Sequence, residues 1–278
     1  MRRFLCIAMS VLSLAYLPVL GFGIGVCALA TQQGSRYAEY FVSDGARQGN
    51  ATRNVYYTSK TIEDYVNPYE APSFKAGRVN TCVVDAGGNV MVYYDRIFDE
   101  LVPDYKHKYV WGVFTYSAQT EGVNKMFDTL YDMMGTTNDG TNIPGFKKGM
   151  KAYAASRSHD INLAQFTGSY HNINIEGLKK QLKAEKPAVI FLNTYSVTSF
   201  GDIVENVGHD IIEYSTFSGA HAMVVYGFKD IYYYDEDARL KQRDTFLYVS
   251  TGIGSLPLAM IDITRLCIVD DIYITEVI

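Results

Sequence analysis

No two cysteines or histidines in this chain stand at the spacing of a zinc site. The four cysteines are Cys6, Cys27, Cys82 and Cys267, and the five histidines are scattered singly, which argues against a structural or catalytic metal. The chain also lacks an excess of positive charge. Its net charge is −5 with 20% charged residues, so nucleic acid is not an expected partner. Tryptophan occurs once, whereas Tyr and Phe contribute 23 and 14 residues, the aromatic balance of a strand-rich body with half-buried rings. No internal repeat, low-complexity tract or interdomain linker interrupts residues 71–278. The acidic run Asp235-Glu236-Asp237, flanked by Arg239 and Lys241, has no regular series of oxygen ligands and reads as a solvated hairpin tip.

What is present begins with a targeting segment. Arg2 and Arg3 precede an uncharged run from Phe4 to Ala30 that closes in Ala28-Leu29-Ala30, a small-x-small cleavage pattern. Residues 1–30 are therefore expected to engage the membrane during export, as a signal peptide or, given the length of the run, as an uncleaved anchor. The protein is then secreted or held at the outer face of the membrane. The Gly21-Phe22-Gly23-Ile24-Gly25 stretch lies inside this segment with no strand before it and is not a dinucleotide loop. Residues 31–70 are polar and tyrosine-rich, expected as a mobile lead-in or pro-segment with one strand near Asn54–Ser59.

Export leaves two cysteines, Cys82 and Cys267. A disulfide between them is the plain alternative, but a chain of this size needs no staple. Cys82 instead precedes an apolar stripe, Val83, Val90, Met91, Tyr94, Ile97, Phe98 and Leu101, at helical steps up to a stop at Pro103. A thiol at a helix start faces unpaired N–H groups and the positive end of the dipole, both of which favour thiolate. The pair Gly87-Gly88 in that helix predicts close packing by a neighbouring backbone. Further helices are predicted at Glu121–Met134, from Pro144 to Ala155, and at Ile175–Glu185. From Pro187 on, strands are expected at 188–192, 210–217, 222–228, 231–234, 245–249 and 256–263, with a last one ending at Ile278. Helices first and an antiparallel sheet second predict an α+β domain over 71–278.

His221 lies in Gly219-Ala220-His221-Ala222-Met223-Val224-Val225-Tyr226-Gly227-Phe228, a buried strand entered through small residues. A thiol on a helix and an imidazole on a distant strand are the parts of a cysteine-nucleophile enzyme. The amide of Cys82, helped by the Asn80 or Thr81 side chain, would receive the oxyanion. Together with Asn80-Thr81-Cys82 leading into Gly87-Gly88-Asn89-Val90-Met91, this block resembles the nucleophile helix and histidine strand of bacterial papain-like cysteine peptidases, among them the bacteriocin-leader (double-glycine) peptidase-like and streptopain-like groups. The likeness runs through residues 78–265 in order. It implies a papain-like fold, a helical lobe with the nucleophile helix followed by an antiparallel sheet lobe, a thiol protease activity without cofactor, and a peptide or protein substrate. Peptide or amide bonds of the cell wall, or binding of such ligands without turnover, are the alternatives. The sequence departs from that pattern at three positions. Ser250 stands where a histidine-orienting Asn or Asp is expected, with Asp230 or Asp235 as substitutes. Ile253 replaces a Trp, and Ala76 sits at the oxyanion Gln position.

Overall fold

The structure, a computed structural model, describes residues 46–110, 113–168, 172–199, 203–254 and 256–278. The segment expected at 1–30 lies outside these residues, as do positions 31–45 of the lead-in. Among the described residues no helix is long and apolar enough to cross a membrane.

The chain opens with two strands, β1 (Ala46–Tyr56) and β2 (Ser59–Val66). Helix α1 (Cys82–Asp95) follows, then the short hairpin β3 (Lys108–Val110) and β4 (Val113–Thr115), α2 (Glu121–Met134) and α3 (Ile143–Ser156). Strand β5 (Ile161–Gln165) and α4 (Ile175–Lys183) lead into β6 (Ala188–Thr198), β7 (Ile203–Asn206), β8 (His209–Tyr234), β9 (Leu240–Ile253), β10 (Leu256–Asp262) and β11 (Ile268–Val277). All but β3 and β4 belong to one nine-stranded antiparallel sheet. Strand β8 pairs with β6 and β9, β9 with β10, and β10 with β6, which closes a ring of four strands.

This architecture overturns the expected one. Strands make up 46% of the described residues and helices 23%, so it is a sheet-dominated fold and not a papain-like helical lobe followed by a sheet lobe. Much of the difference comes from the segment read as a mobile lead-in. Residues 46–56 pair with 218–209 of β8 across a shift in register between Arg47 and Gly49, and 59–66 pair with 234–227. The apolar alternation that would announce β2 is missing because its half-buried positions include Lys60 and Glu63. They face ionic partners: Lys60 bonds Asp210 at 2.8 Å, and Glu63 takes the ammonium groups of Lys179 and Lys183.

Strand β8 also differs from the three separate strands expected. Gly219, at φ +105, lies in the gap expected between 217 and 222 but is carried within a single 26-residue strand. A Cβ on Gly227 would stand 2.4 Å from the Tyr65 carbonyl oxygen, so the glycine is what lets β2 lie close. Helix α2 has the bounds expected. Helix α1 is shorter than its stripe, because the Asp95 carboxylate accepts the Val102 N–H at 2.7 Å and contacts His107 Nε2 at 3.1 Å, turning the chain before Pro103.

Side chains of the sheet alternate between two cores. Val189, Phe191, Val224 and Tyr226 meet α1, α2 and α3, while Ile190, Leu192, Met223 and Val225 face a second core capped by Leu178 and Leu182 of α4. All of α1 is buried, beyond the one-sided stripe expected of it. Its glycine pair is filled by side chains rather than by a backbone. A Cβ on Gly87 would meet Met134 Cε and Met150 Sδ at 2.8 Å, and one on Gly88 would meet the Phe127 ring at 2.2 Å. Burying α1 against the sheet fixes the position of its first residue.

Candidate active site

Three of the four helices among the described residues are capped by a side chain. Thr120, Asn142 and Asn174 each accept an N–H of the following first turn. Helix α1 has no such cap, since Thr81 turns its hydroxyl toward the Arg78 carbonyl and Asp85. Its first N–H groups are thus left uncapped beside Cys82, and the Val83 amide favours the thiolate. The strap leading in, residues 75–81, reaches this start through two left-handed residues, Gly77 at φ +70 and Asn80 at φ +59.

Cys82 and His221 line one pocket of about 470 Å³ with Lys75, Gly77, Arg78, Val79, Asn80, Thr81, Asp85 and Gly252. The two come together because β8 lies across α1, which brings the Ala222 amide, next to His221, to where it favours the thiolate. His221 Nε2 lies 2.6 Å from the Thr251 carbonyl oxygen. A carbonyl can only accept, so Nε2 carries the proton and Nδ1 is the basic nitrogen. The imidazole stacks on Tyr195 of β6 at 5.2 Å and 18°, and Tyr195 stacks in turn on Phe217. This hydrogen bond and this ring both hold the orientation of the imidazole.

The thiol does not have the lowered pKa expected at a helix start. Burial pushes it up, the amides of Ala222 and Val83 pull against that, and the Asp85 carboxylate adds to the rise. Desolvation of a sulphur only 4% exposed outweighs the dipole, so the resting group is the neutral thiol. Cys267 is not joined to it by a disulfide; its sulphur contacts the Ser196 carbonyl oxygen at 3.9 Å.

The remaining expected residues are placed elsewhere. Ser250 is buried opposite Val224 but donates its hydroxyl to the Pro72 carbonyl at 2.7 Å, tying β9 to the strap region rather than orienting the histidine. Asn80 lines the pocket, yet its side-chain amide bonds the Asn138 carbonyl of the α2–α3 loop, so it clamps the strap instead of serving an oxyanion. Neither carboxylate offered as a substitute is near. Asp230 is buried between Lys179 and Arg243 under α4, and Asp235 accepts the Asp237 and Arg239 amides at a hairpin tip. Ala76, at the oxyanion Gln position, donates its N–H to Asp85 Oδ1 at 2.7 Å.

Two partners in this site escaped the sequence reading. The Thr251 carbonyl is backbone and carries no residue-type signal. Asp85, in the first turn of α1, has the look of an ordinary dipole-complementing acid, and only the fold turns it toward the pocket. Among the described residues no group of three or more His, Cys, Asp or Glu could hold a metal ion. No protein-family model, curated protein or solved structure matches the chain, so the arrangement of Cys82, His221 and Thr251 is what there is to read its chemistry from.

Proposed function

We propose that this chain is a thiol-dependent acyl hydrolase acting on peptide bonds, with Cys82 as nucleophile and His221 as base. The observation that carries the reading is that Cys82, at the start of α1, and His221, on β8, line one pocket of about 470 Å³. His221 Nδ1 takes the thiol proton as the sulphur attacks the acyl carbon, a general-base step made necessary by the raised thiol. The first-turn N–H groups of α1 receive the oxygen as it becomes an oxyanion. Collapse expels the amine, which takes the proton from Nδ1, and water then hydrolyses the thioester by the same base. Export through residues 1–30 is part of the proposal and sets its substrates outside the membrane, as free peptides or as peptide and amide links of a cell wall.

A second reading is a ligand-binding relative without turnover. It is favoured by the buried, neutral thiol and by a carbonyl, not a carboxylate, on His221 Nε2. One experiment separates the two. The full chain is incubated with a peptide library, peptidoglycan and a chromogenic thioester, and intact mass is followed for an acyl adduct on Cys82. Adduct and turnover that vanish in Cys82→Ser and His221→Ala support hydrolysis. Saturable binding of the same compounds without adduct supports the second reading.

A further inference from the structure

Asp85 is a buried carboxylate in the pocket that the reaction above leaves without a role. It follows Cys82 by one helical turn, is 6% exposed, and accepts the Ala76 N–H at 2.7 Å and the Thr81 hydroxyl at 3.3 Å. Across the pocket it faces Gly252. That residue has φ +68, and a Cβ placed on it would stand 4.0 Å from both Asp85 Cβ and Oδ2. Gly252 shares a peptide group with Thr251, whose oxygen takes the His221 Nε2–H. One polar unit thus lies between the carboxylate and the imidazole.

We propose that Asp85 is the positioning charge of this site, acting on His221 through the Thr251–Gly252 peptide group and directly on Cys82. The proposal deepens the thiol-hydrolase reading and rests on it. The dipole of a peptide group runs from its N–H toward its oxygen. A negative charge on the Gly252 side therefore deepens the negative potential at the Thr251 oxygen, which holds the Nε2 proton and favours imidazolium. The same charge opposes thiolate on Cys82. Asp85 thereby strengthens the base and keeps the nucleophile protonated until the base acts. A side chain at 252 would strain a left-handed backbone, which gives the glycine its function.

Other charges face the same pocket. Lys75 and Arg78 on the strap line it, with Arg78 drawn away to Asp128 at 2.6 Å and to the Tyr131 ring at 4.6 Å. Lys75 Nζ would lie 3.7 Å from a Cβ on Gly254. The helix contributes Cys82 and β8 contributes His221. Both strap cations oppose Asp85, so removing Lys75 moves the site in the direction opposite to removing Asp85.

The test uses Asp85→Asn, which keeps an oxygen for the Ala76 amide while deleting the charge, with Asp85→Glu and Lys75→Met beside it. His221 is titrated by imidazole NMR and Cys82 by its iodoacetamide rate against pH, both in the full chain. In Asp85→Asn the imidazole and thiol midpoints are each expected to fall by roughly one pH unit, a tenfold change in alkylation rate at fixed pH. Asp85→Glu stays near wild type and Lys75→Met shifts both midpoints upward. Unchanged midpoints in Asp85→Asn, or midpoints that move in opposite directions, overturn the proposal and leave Asp85 as a hydrogen-bonding anchor of the strap. Should Asp85→Asn not fold, the Lys75→Met shift decides alone, its absence being the overturning result. Both titrations are independent of substrate. A shift seen in a chain that turns nothing over therefore counts against the hydrolase reading and leaves Asp85 as a charge that sets both midpoints, with no turnover to position for.

Discussion

The pH dependence of Cys82 alkylation is the sharpest consequence of its burial. An unperturbed thiol near pKa 8.5 is about 3% thiolate at pH 7, and each unit of upward shift removes a further factor of about ten. Cys82 is pushed up by burial and by Asp85, with two amides pulling the other way. On ionisation alone, even a single unit of net rise makes native Cys82 react about ten times more slowly at pH 7 than the same residue in unfolded chain. Exposure of only 4% slows it further. The assay is an iodoacetamide time course from pH 5 to 10, resolved by peptide mapping, with Cys267 as a more exposed internal reference and chain in denaturant as the unfolded standard. The expected profile for Cys82 is still climbing at about pH 9, beyond the midpoint of an ordinary thiol. A plateau reached at or below about pH 7 is the signature of a preformed thiolate–imidazolium pair, and it would refute the reasoning from burial.

Two other outcomes follow from partners named above. Ser250→Ala is expected to leave acyl turnover within about twofold of wild type, because the hydroxyl serves Pro72 and not His221; a hundredfold loss in kcat, the scale seen when a reacting proton loses its partner, would restore Ser250 to the catalytic group. Lys179→Met removes the ammonium that bonds buried Asp230 at 2.7 Å and leaves Arg243 as its counter-charge, so urea unfolding should report a loss of about 3 kcal/mol, the low end for breaking a buried pair. The same pair sets a pH window. Asp230 is held below its ordinary value by Lys179, Thr245 and Arg243 against the cost of burial, so its contribution is present above about pH 4 and is lost in acid as it protonates; Lys179, raised by Asp230 and Glu63, contributes below about pH 10 and loses that share only as pH climbs further. Stability of the wild type that does not fall below pH 4 would contradict this assignment.

The helices were legible because their signals are local. Asn142 and Asn174 cap the turns that follow them, and the Met and Phe stripe of α2 lies on one face. The pairing of Cys82 with His221 in one pocket was also legible, since both residue types are rare and each sits in a recognisable setting. Strands β1 and β2 were not, because their half-buried positions include Arg53, Lys60 and Glu63, which are satisfied by Asp244, Asp210 and Lys179 far along the chain. No local pattern announces a charge whose partner is more than a hundred residues away. Histidine orientation was misjudged for a related reason. Residue type points to a side chain at position 250, whereas the acceptor is the main chain at 251.

The placement of β1 and β2 also governs when the molecule can be completed. Arg53 meets Tyr214 across 161 positions of sequence, and the first two strands find their pairing edges only on β8. At a synthesis rate of about 5–20 residues per second, residues 46–66 leave the ribosome roughly 10–30 s before that edge exists. Closing so long a loop is slow in its own right. The N-terminal strands therefore wait as unpaired polypeptide until β8 has been made, although they are the first part of the sheet to be synthesised.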